Sequence, residues 1–520
     1  MADWGSGYVT DTAYVHDFCR VQIPAILSFA ALAKGIAVPG GQGEPLTYCD
    51  LGCGQGFTAN LIAAANPRTE VFAIDFNPTH IASGRGLATA AGLLNIQFRE
   101  AAFDDLLHNG ALPSFDVIAL HGVYSWISAE NRQAIIAFIR QRLKPGGLAY
   151  ISYDTMPGWA GMAPLRRVLV QHASAGGVSE AALEQALTFA DKLKELDARF
   201  YQMYPIVTAQ LDRLRKLPRS YLAHELLTRS WQAFSFADVA AELADAKLTY
   251  LGSAYLVDHV DRINFTESQQ RFLAQIVDPQ LAETTRDMII GRQFRRDIFV
   301  KGFTPLAPLQ ARERWLQTRL ALSVAAEDLQ LTFQTALGTL ALRPDVYKPV
   351  IDVLDQGPMT IRELIDHLPA NQLGWTSLTD AIMVLVGRGE LHPALPSEGQ
   401  AERAIATSAF NAAVMTRAKE STELAYLASP VTGGGIRVDR IGQLYLLAKQ
   451  KGLSDPAGAM ARIAIMSGYA VEKDGKKLSP EEATAALVAR AAEIEQHTLP
   501  VLARLGIASR AVEKPGTRNL

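Results

Sequence analysis

The chain has 520 residues, too many for one compact core, and its length predicts about two to four units. Hydrophobic residues make up 49% and charged residues 20%, and a formal net charge of -3 lacks the basic excess that phosphate-backbone binding requires, so nucleic acid is disfavoured as the main substrate. The three cysteines, Cys19, Cys49 and Cys53, can build neither a disulfide framework nor a four-cysteine zinc site, and an alternating strand places Cys49 and Cys53 poorly as a metal pair, so no metal is expected.

The first residues lack a charged region followed by an apolar run, and no apolar stretch reaches the roughly 18 residues of a membrane span; a soluble, cytoplasmic protein is expected. Residues 18–34 are apolar with helical period, which predicts a helical lid or brace within 1–45. From about 46 to 154, within a unit placed at 46–165, apolar strands alternate with glycine or polar turns and amphipathic helices, the pattern of a parallel sheet with right-handed crossovers. Strands are expected at 46–50, 70–74, 96–100, 115–121 and 148–153, with helices near 57–65, 78–91 and 128–143. The last of these helices should stop at Lys144-Pro145-Gly146-Gly147.

Segment 166–303 reads as a helical unit, with helices at 178–198, 205–216, 236–245, 266–276 and 279–290 and a strand or two in the β-branched stretch 248–257. A proline-bearing junction at 303–308 opens a module over 304–400 whose helix, helix, helix, strand order (347–354, 360–368, 377–388, 390–394) is that of a winged helix. Its basic set, Lys348, Arg362 and Arg388, is sparse beside Asp352, Asp355, Glu363 and Asp366, which argues against DNA as its partner. Residues 401–520 are mostly helical, with a small-residue loop at 428–435. The long apolar helices after 178 could support a homodimer.

The chemistry concentrates in the α/β unit. Asp50-Leu51-Gly52-Cys53-Gly54-Gln55-Gly56 follows a strand and opens a helix, so Gly52, Gly54 and Gly56 let the backbone approach a ligand closely. A glycine triplet alone is weak evidence. Asp50 sharpens it, because a carboxylate at the strand end would repel a dinucleotide pyrophosphate but suits a ligand with a sulfonium and an ammonium, which selects S-adenosylmethionine over NAD. The next strand ends in Asp75, placed to accept from ribose hydroxyls or, as an ordinary alternative, to cap the following helix. Phe76 is expected against the adenine. Where many such sites carry an acidic acceptor for the adenine amino group Ala102 stands, so backbone near Ala102 and Phe103, or Asp104, must substitute.

The fourth strand ends in His121-Gly122-Val123-Tyr124-Ser125-Trp126-Ile127, across the sheet switch point, where a methyl acceptor should arrive and where His121 also borders the cofactor. The ordinary alternative is that Tyr124 and Trp126 pack beneath the next helix and His121 ends the strand. The run from His121 to Trp126, followed by Tyr150-Ile151-Ser152-Tyr153-Asp154-Thr155-Met156-Pro157-Gly158-Trp159, resembles bacterial class I methyltransferases with a predicted methyltransferase regulatory domain, a group that includes the rickettsial outer-membrane-protein lysine methyltransferases. Tyr221-Leu222-Ala223-His224-Glu225, Gly291 to Arg296 and Leu427 to Thr432 fit the same group, while the segment from Trp4 to Val9 departs from its rickettsial members.

The resemblance implies a Rossmann-like methyltransferase domain followed by mostly α-helical domains, one of them winged-helix-like. It also implies S-adenosyl-L-methionine as cofactor and a protein lysine as the acceptor. Trp126, Tyr124 and Tyr221 are then expected to wall the acceptor pocket, with His121 or Glu225 taking the proton; Tyr221 and Glu225 enter through the resemblance alone. The alternatives are a small-molecule O- or N-methyltransferase and a cofactor-sensing regulator. No Asn-Pro-Pro-Tyr and no cysteine follows the fourth strand, which disfavours amide, exocyclic-amine and pyrimidine-carbon methylation of those types.

Overall fold

The computed structural model describes residues 8–12, 14–40, 43–108, 110–173, 179–369, 373–473 and 476–508. Of the N-terminal segment that departs from the rickettsial pattern, Trp4 to Gly7 lie outside these residues.

Strand β1 (Thr47–Leu51) is an apolar run buried on both faces, as the centre of a parallel sheet requires. Strands β2 (Glu70–Asp75) and β3 (Ile96–Glu100) lie to one side of it, and β4 (Phe115–Leu120) and β5 (Leu143–Asp154) to the other, every pair parallel. Strands β6 (Leu248–Ser253) and β7 (Phe294–Lys301) complete a seven-stranded sheet in the order β3-β2-β1-β4-β5-β7-β6, with β7 antiparallel to both neighbours. The α/β unit expected to end at 165 therefore stops short of its own sheet. Two strands come from the segment expected to be a separate helical unit, because β5 would otherwise leave an apolar edge unpaired.

Helices Phe57–Ala65, Pro78–Ala90 and Ala129–Arg142 make the crossovers. Asn77 and Ser128 cap the last two, with Pro78 at the first helical position, where its missing N–H carries no penalty. Helix Ala129–Arg142 ends where Leu143 enters β5, so Lys144 to Gly147 belong to the strand rather than to a loop. The crossovers change direction between β1 and β4 and open a crevice above the strand ends.

Helix Pro24–Ala33 is a brace: Leu27 and Ala30 are fully buried in a core shared with Tyr48 and Tyr150. Helices Met162–Ala173, Ser179–Glu195, Arg199–Met203, Ile206–Leu214 and Arg219–Leu227 share a separate apolar core. In the winged unit, helices Pro344–Leu354, Ile361–His367 and Trp375–Arg388 pack with a three-stranded sheet of Met359–Thr360, Arg319–Leu322 and Leu391–Ala394. The third helix, which a DNA-binding winged helix would present to a groove, is engaged within the chain. The Arg20 guanidinium donates to the carbonyls of Val386 and Gly387 at 2.8 and 2.7 Å, and Arg262 pairs with Asp380 at 2.7 Å. Arg362 is paired with Glu313 and Arg388 with Glu390.

Loop 428–435 is buried although it is a loop, and several of its polar groups are answered by other parts of the chain. Asn411 bonds both the N–H and the carbonyl of Ala428, Ser429 Oγ donates to the Leu505 carbonyl, and Asn66 Nδ2 donates to the Gly433 carbonyl. Among the described residues no helix is long and apolar enough to cross a membrane, and no group of three or more His, Cys, Asp or Glu is placed to hold a metal.

Candidate active site

The turn after β1 is stapled to β2: Gly52 and Cys53 N–H both donate to the Ile74 carbonyl, at 2.8 and 3.0 Å. Gly52 sits at φ +74°, and a Cβ there would lie 2.5 Å from Val123 Cγ2, so no side chain is admitted. Gly54, at φ +52°, donates its N–H to Asp75 Oδ2 at 2.9 Å, and a Cβ there would touch Tyr14 Cδ1 at 3.6 Å. Gly56 caps helix Phe57–Ala65. Asp50 is 3% exposed, and among the described residues its one side-chain partner is a long bond from Gln22 Nε2 (3.4 Å). Burial pushes its carboxyl up to about 7. A carboxylate so placed is stabilised by an arriving cation.

Two connected cavities open over this turn, one of about 400 Å³ and one of about 220 Å³. Gly52, Gly54, Tyr8, Tyr14, His121 and Trp126 line both. The smaller continues over Asp75, Phe76, Ala102, Phe103 and Asp104, which places together the residues expected around the ribose and adenine. Asp75 is held rigidly, its Oδ1 accepting the Asn77 N–H (2.9 Å) beside His80 Nδ1 (3.2 Å), and Oδ2 keeps one acceptor direction free among the described residues. Tyr8 meets Phe76 edge-on at 5.8 Å. Gln22, Tyr14 and His80 were not legible in the sequence as site residues; each is brought in by a contact between separate elements.

The larger cavity runs from Asp50 to a second acidic group. Asp154, at the end of β5, is 2% exposed and accepts from Trp231 Nε1 at 2.6 Å. Glu225, 8% exposed, lies on helix Arg219–Leu227 with Tyr221 one turn before it. Burial raises both carboxyls, and the Asp154 charge raises Glu225 further. Arg166 stands beside the pair but donates to the backbone carbonyls of Glu225 and Thr228, at 3.1 and 2.7 Å, and its guanidinium lies over the Trp231 ring at 4.4 Å. Trp159 meets Trp231 edge-on at 5.1 Å, and Tyr14 faces Tyr221 at 6.3 Å. Trp126, Trp159, Tyr221, Glu225 and Asp154 thus border one space. Asp154 and Trp159 stand in the run that carries the resemblance; the sign that could have marked Asp154 is a carboxylate at a strand's carboxyl end, as with Asp50, Asp75 and Glu100.

Two expected site residues are corrected. His121 lines both cavities, but its Nδ1 is engaged by Tyr150 Oη (2.8 Å) and Ser152 Oγ (3.1 Å). Burial, then the Arg296 charge, lowers it to about 3, so the imidazole is neutral and a poor proton acceptor. Tyr124 does not wall the pocket. Residues Tyr124–Trp126 form a tight helical turn that sends Trp126 to the cavities and Tyr124 into the core, fully buried against Tyr153 and Phe234, with its hydroxyl donating to Glu242 beside Arg132. Tyr124→Phe is expected to lower unfolding free energy by about 1–3 kcal/mol in urea titration and to leave kcat unchanged.

Comparison with known proteins places the chain. Residues 49–149 match the family described as a methyltransferase domain, and residues 218–301 match the predicted methyltransferase regulatory domain. The uncharacterised Synechocystis protein sll1526 is 38% identical over 97% of this chain and 99% of its own length. The chain belongs to the bacterial methyltransferases with a predicted regulatory domain. An uncharacterised Rickettsia prowazekii protein, RP028, is 30% identical over 35% of the methyltransferase and 73% of its own length. Among solved structures, PKMT2 from Rickettsia typhi in complex with AdoHcy superposes with a TM-score of 0.69 over 95% of this chain and 100% of that one, at 18% identity, which is a likeness of fold.

The methyltransferase is a class I, S-adenosylmethionine-dependent enzyme, and the residues present fit that cofactor. Asp50 is a buried carboxylate with one long side-chain bond among the described residues, Gly54 and Tyr14 line both cavities, and Asp75 and Phe76 lie together in the adjoining cavity. Bound S-adenosylmethionine supplies an electrophilic methyl group on sulfur.

Proposed function

We propose that this methyltransferase acts on an amine, and that the amine is the side-chain nitrogen of a protein lysine. The carrying observation is the buried Asp154–Glu225 pair, which borders one cavity with Trp126, Trp159 and Tyr221. An alkyl ammonium suits such a place: aromatic faces and carboxylates attract it, and the aromatic walls accept its apolar stem. Carboxyls raised by burial are also stronger bases than free ones, so the pair takes the ammonium proton and leaves a nitrogen lone pair able to attack. Neutral His121 is relieved of this role, and Tyr221 and Trp231 support the carboxylates. Resemblance to the rickettsial lysine methyltransferases points to the same acceptor. Three free thiols and no candidate membrane helix among the described residues fit a cytoplasmic setting.

The test is incubation of the purified enzyme with methyl-labelled S-adenosylmethionine and a bacterial lysate, followed by peptide mass spectrometry. The expected result is label on lysine Nζ. Label confined to small metabolites would replace the protein acceptor with a small-molecule amine or hydroxyl.

A further inference from the structure

The regulatory segment ends on β7, and one side chain of that strand faces the cofactor cleft. Alternation along β7 sends Arg295 to the opposite face, where it pairs with Asp287, Asp297 and Glu283 at 2.8, 2.7 and 2.9 Å. Arg292, just before the strand, pairs with Asp258 and Asp287, each at 3.0 Å. Arg296 is different. It lines the larger cavity, its guanidinium lies 4.8 Å from the Phe294 ring centre, and it forms no ion pair with any described residue.

Its place on the sheet fixes what it can reach. Arg296 sits opposite Ser152 in the β5–β7 pairing, and Ser152 Oγ bonds His121 Nδ1, so the guanidinium shares a face with the His121 end of the cleft. The charges of Arg296 and Asp50 both act on the Cys19 thiol, which lines the same cavity. Among the described residues the cleft thus carries a cation without an ion-pair partner and a carboxylate with one long bond, a charge arrangement complementary to an amino-acid zwitterion. A partly buried guanidinium without an anion is unfavourable, and it is relieved when a ligand brings a carboxylate.

We propose that Arg296 binds the α-carboxylate of the methionyl group of S-adenosylmethionine, while Asp50 takes the α-ammonium. The regulatory segment then supplies part of the cofactor site and makes cofactor affinity depend on how β7 is seated beside β5. The proposal rests on the cofactor assignment and is independent of the acceptor.

Isothermal titration of the full-length protein with S-adenosylmethionine and with decarboxylated S-adenosylmethionine tests it without turnover. The wild type should bind the decarboxylated form about 10- to 100-fold more weakly. Arg296→Gln should weaken S-adenosylmethionine by a similar factor and leave the decarboxylated form near its wild-type affinity, and Arg296→Lys should recover part of the loss. Equal weakening of both ligands, or unchanged S-adenosylmethionine affinity with a raised acceptor KM, would overturn the proposal. If Arg296→Gln fails to fold, the wild type alone decides, and equal affinity for the two ligands overturns it.

Discussion

Glu225→Gln is expected to lower kcat by about 10²- to 10⁴-fold, the range for loss of a positioned proton acceptor, while S-adenosylhomocysteine binds as tightly as to the wild type. The amide keeps the volume of the side chain and its place beside Tyr221 but cannot accept a proton. Asp154→Asn is expected to act in the same direction, and the two losses should not add, because the pair holds its protons jointly. The pH profile carries the sign. Burial raises both carboxyls above their ordinary values, so the proton-accepting form gains population as pH rises through neutrality, and a lysine acceptor is also more often neutral there. kcat/KM should climb from mildly acidic to mildly alkaline pH, and Glu225→Gln should change the shape of that climb as well as its height. Steady-state assays across the range check both. A variant with reduced rate and an unchanged profile would reduce Glu225 to a packing role.

The second large effect concerns the cofactor itself. Asp50 titrates near 7 in the ligand-free protein because burial disfavours its charge, and the methionyl ammonium selects the ionised form. Binding below about pH 7 should therefore release a proton, and affinity should fall by about tenfold per pH unit there while staying level above it. Because the folded-state value is raised, the contribution of Asp50 to stability of the ligand-free protein is present at low pH and lost as pH rises toward 7. The rise in Tm on adding S-adenosylhomocysteine should accordingly grow over the same interval. Asp50→Asn should remove the proton release and the slope, and weaken binding by about 10- to 100-fold at neutral pH. Calorimetry in two buffers of different ionisation enthalpy counts the protons; a wild type that binds without proton release across that interval would contradict the role given to Asp50.

Local patterns carried the legible part of both site and fold. Strand, glycine turn and helix occupy one short stretch, so Asp50, Gly52, Gly54, Gly56 and Asp75 could be placed from period and residue type, and the same holds for helix Phe57–Ala65. Strands β6 and β7 were harder. Residues 248–257 read as a strand, but nothing local says which sheet it joins, and β7 lies between β5 and β6 by antiparallel pairings that cross the whole helical segment. Tyr124 failed for a reason of phase, since the tight turn at 124–126 rotates neighbouring side chains to opposite sides and the identity of three aromatic or titratable residues cannot reveal which one faces the cavity. The Asp154–Glu225 pair and Arg296 arise from contacts distant in the chain. Asp154 looks like the end of a strand, Glu225 like a helix residue and Arg296 like one more arginine in a basic stretch until the fold sets them around one cavity.

Methyl transfer to an amine held at Asp154 and Glu225 requires the reactive methyl group to point toward that pair. A crystal structure of the complex with S-adenosylhomocysteine tests it most directly. The predicted result is a sulfur whose open face looks past Trp126 toward Asp154 and Glu225, through a passage narrow enough for one unbranched side chain. A sulfur open instead toward Phe103 and Ile127, with the acidic pair closed off behind protein, would contradict it.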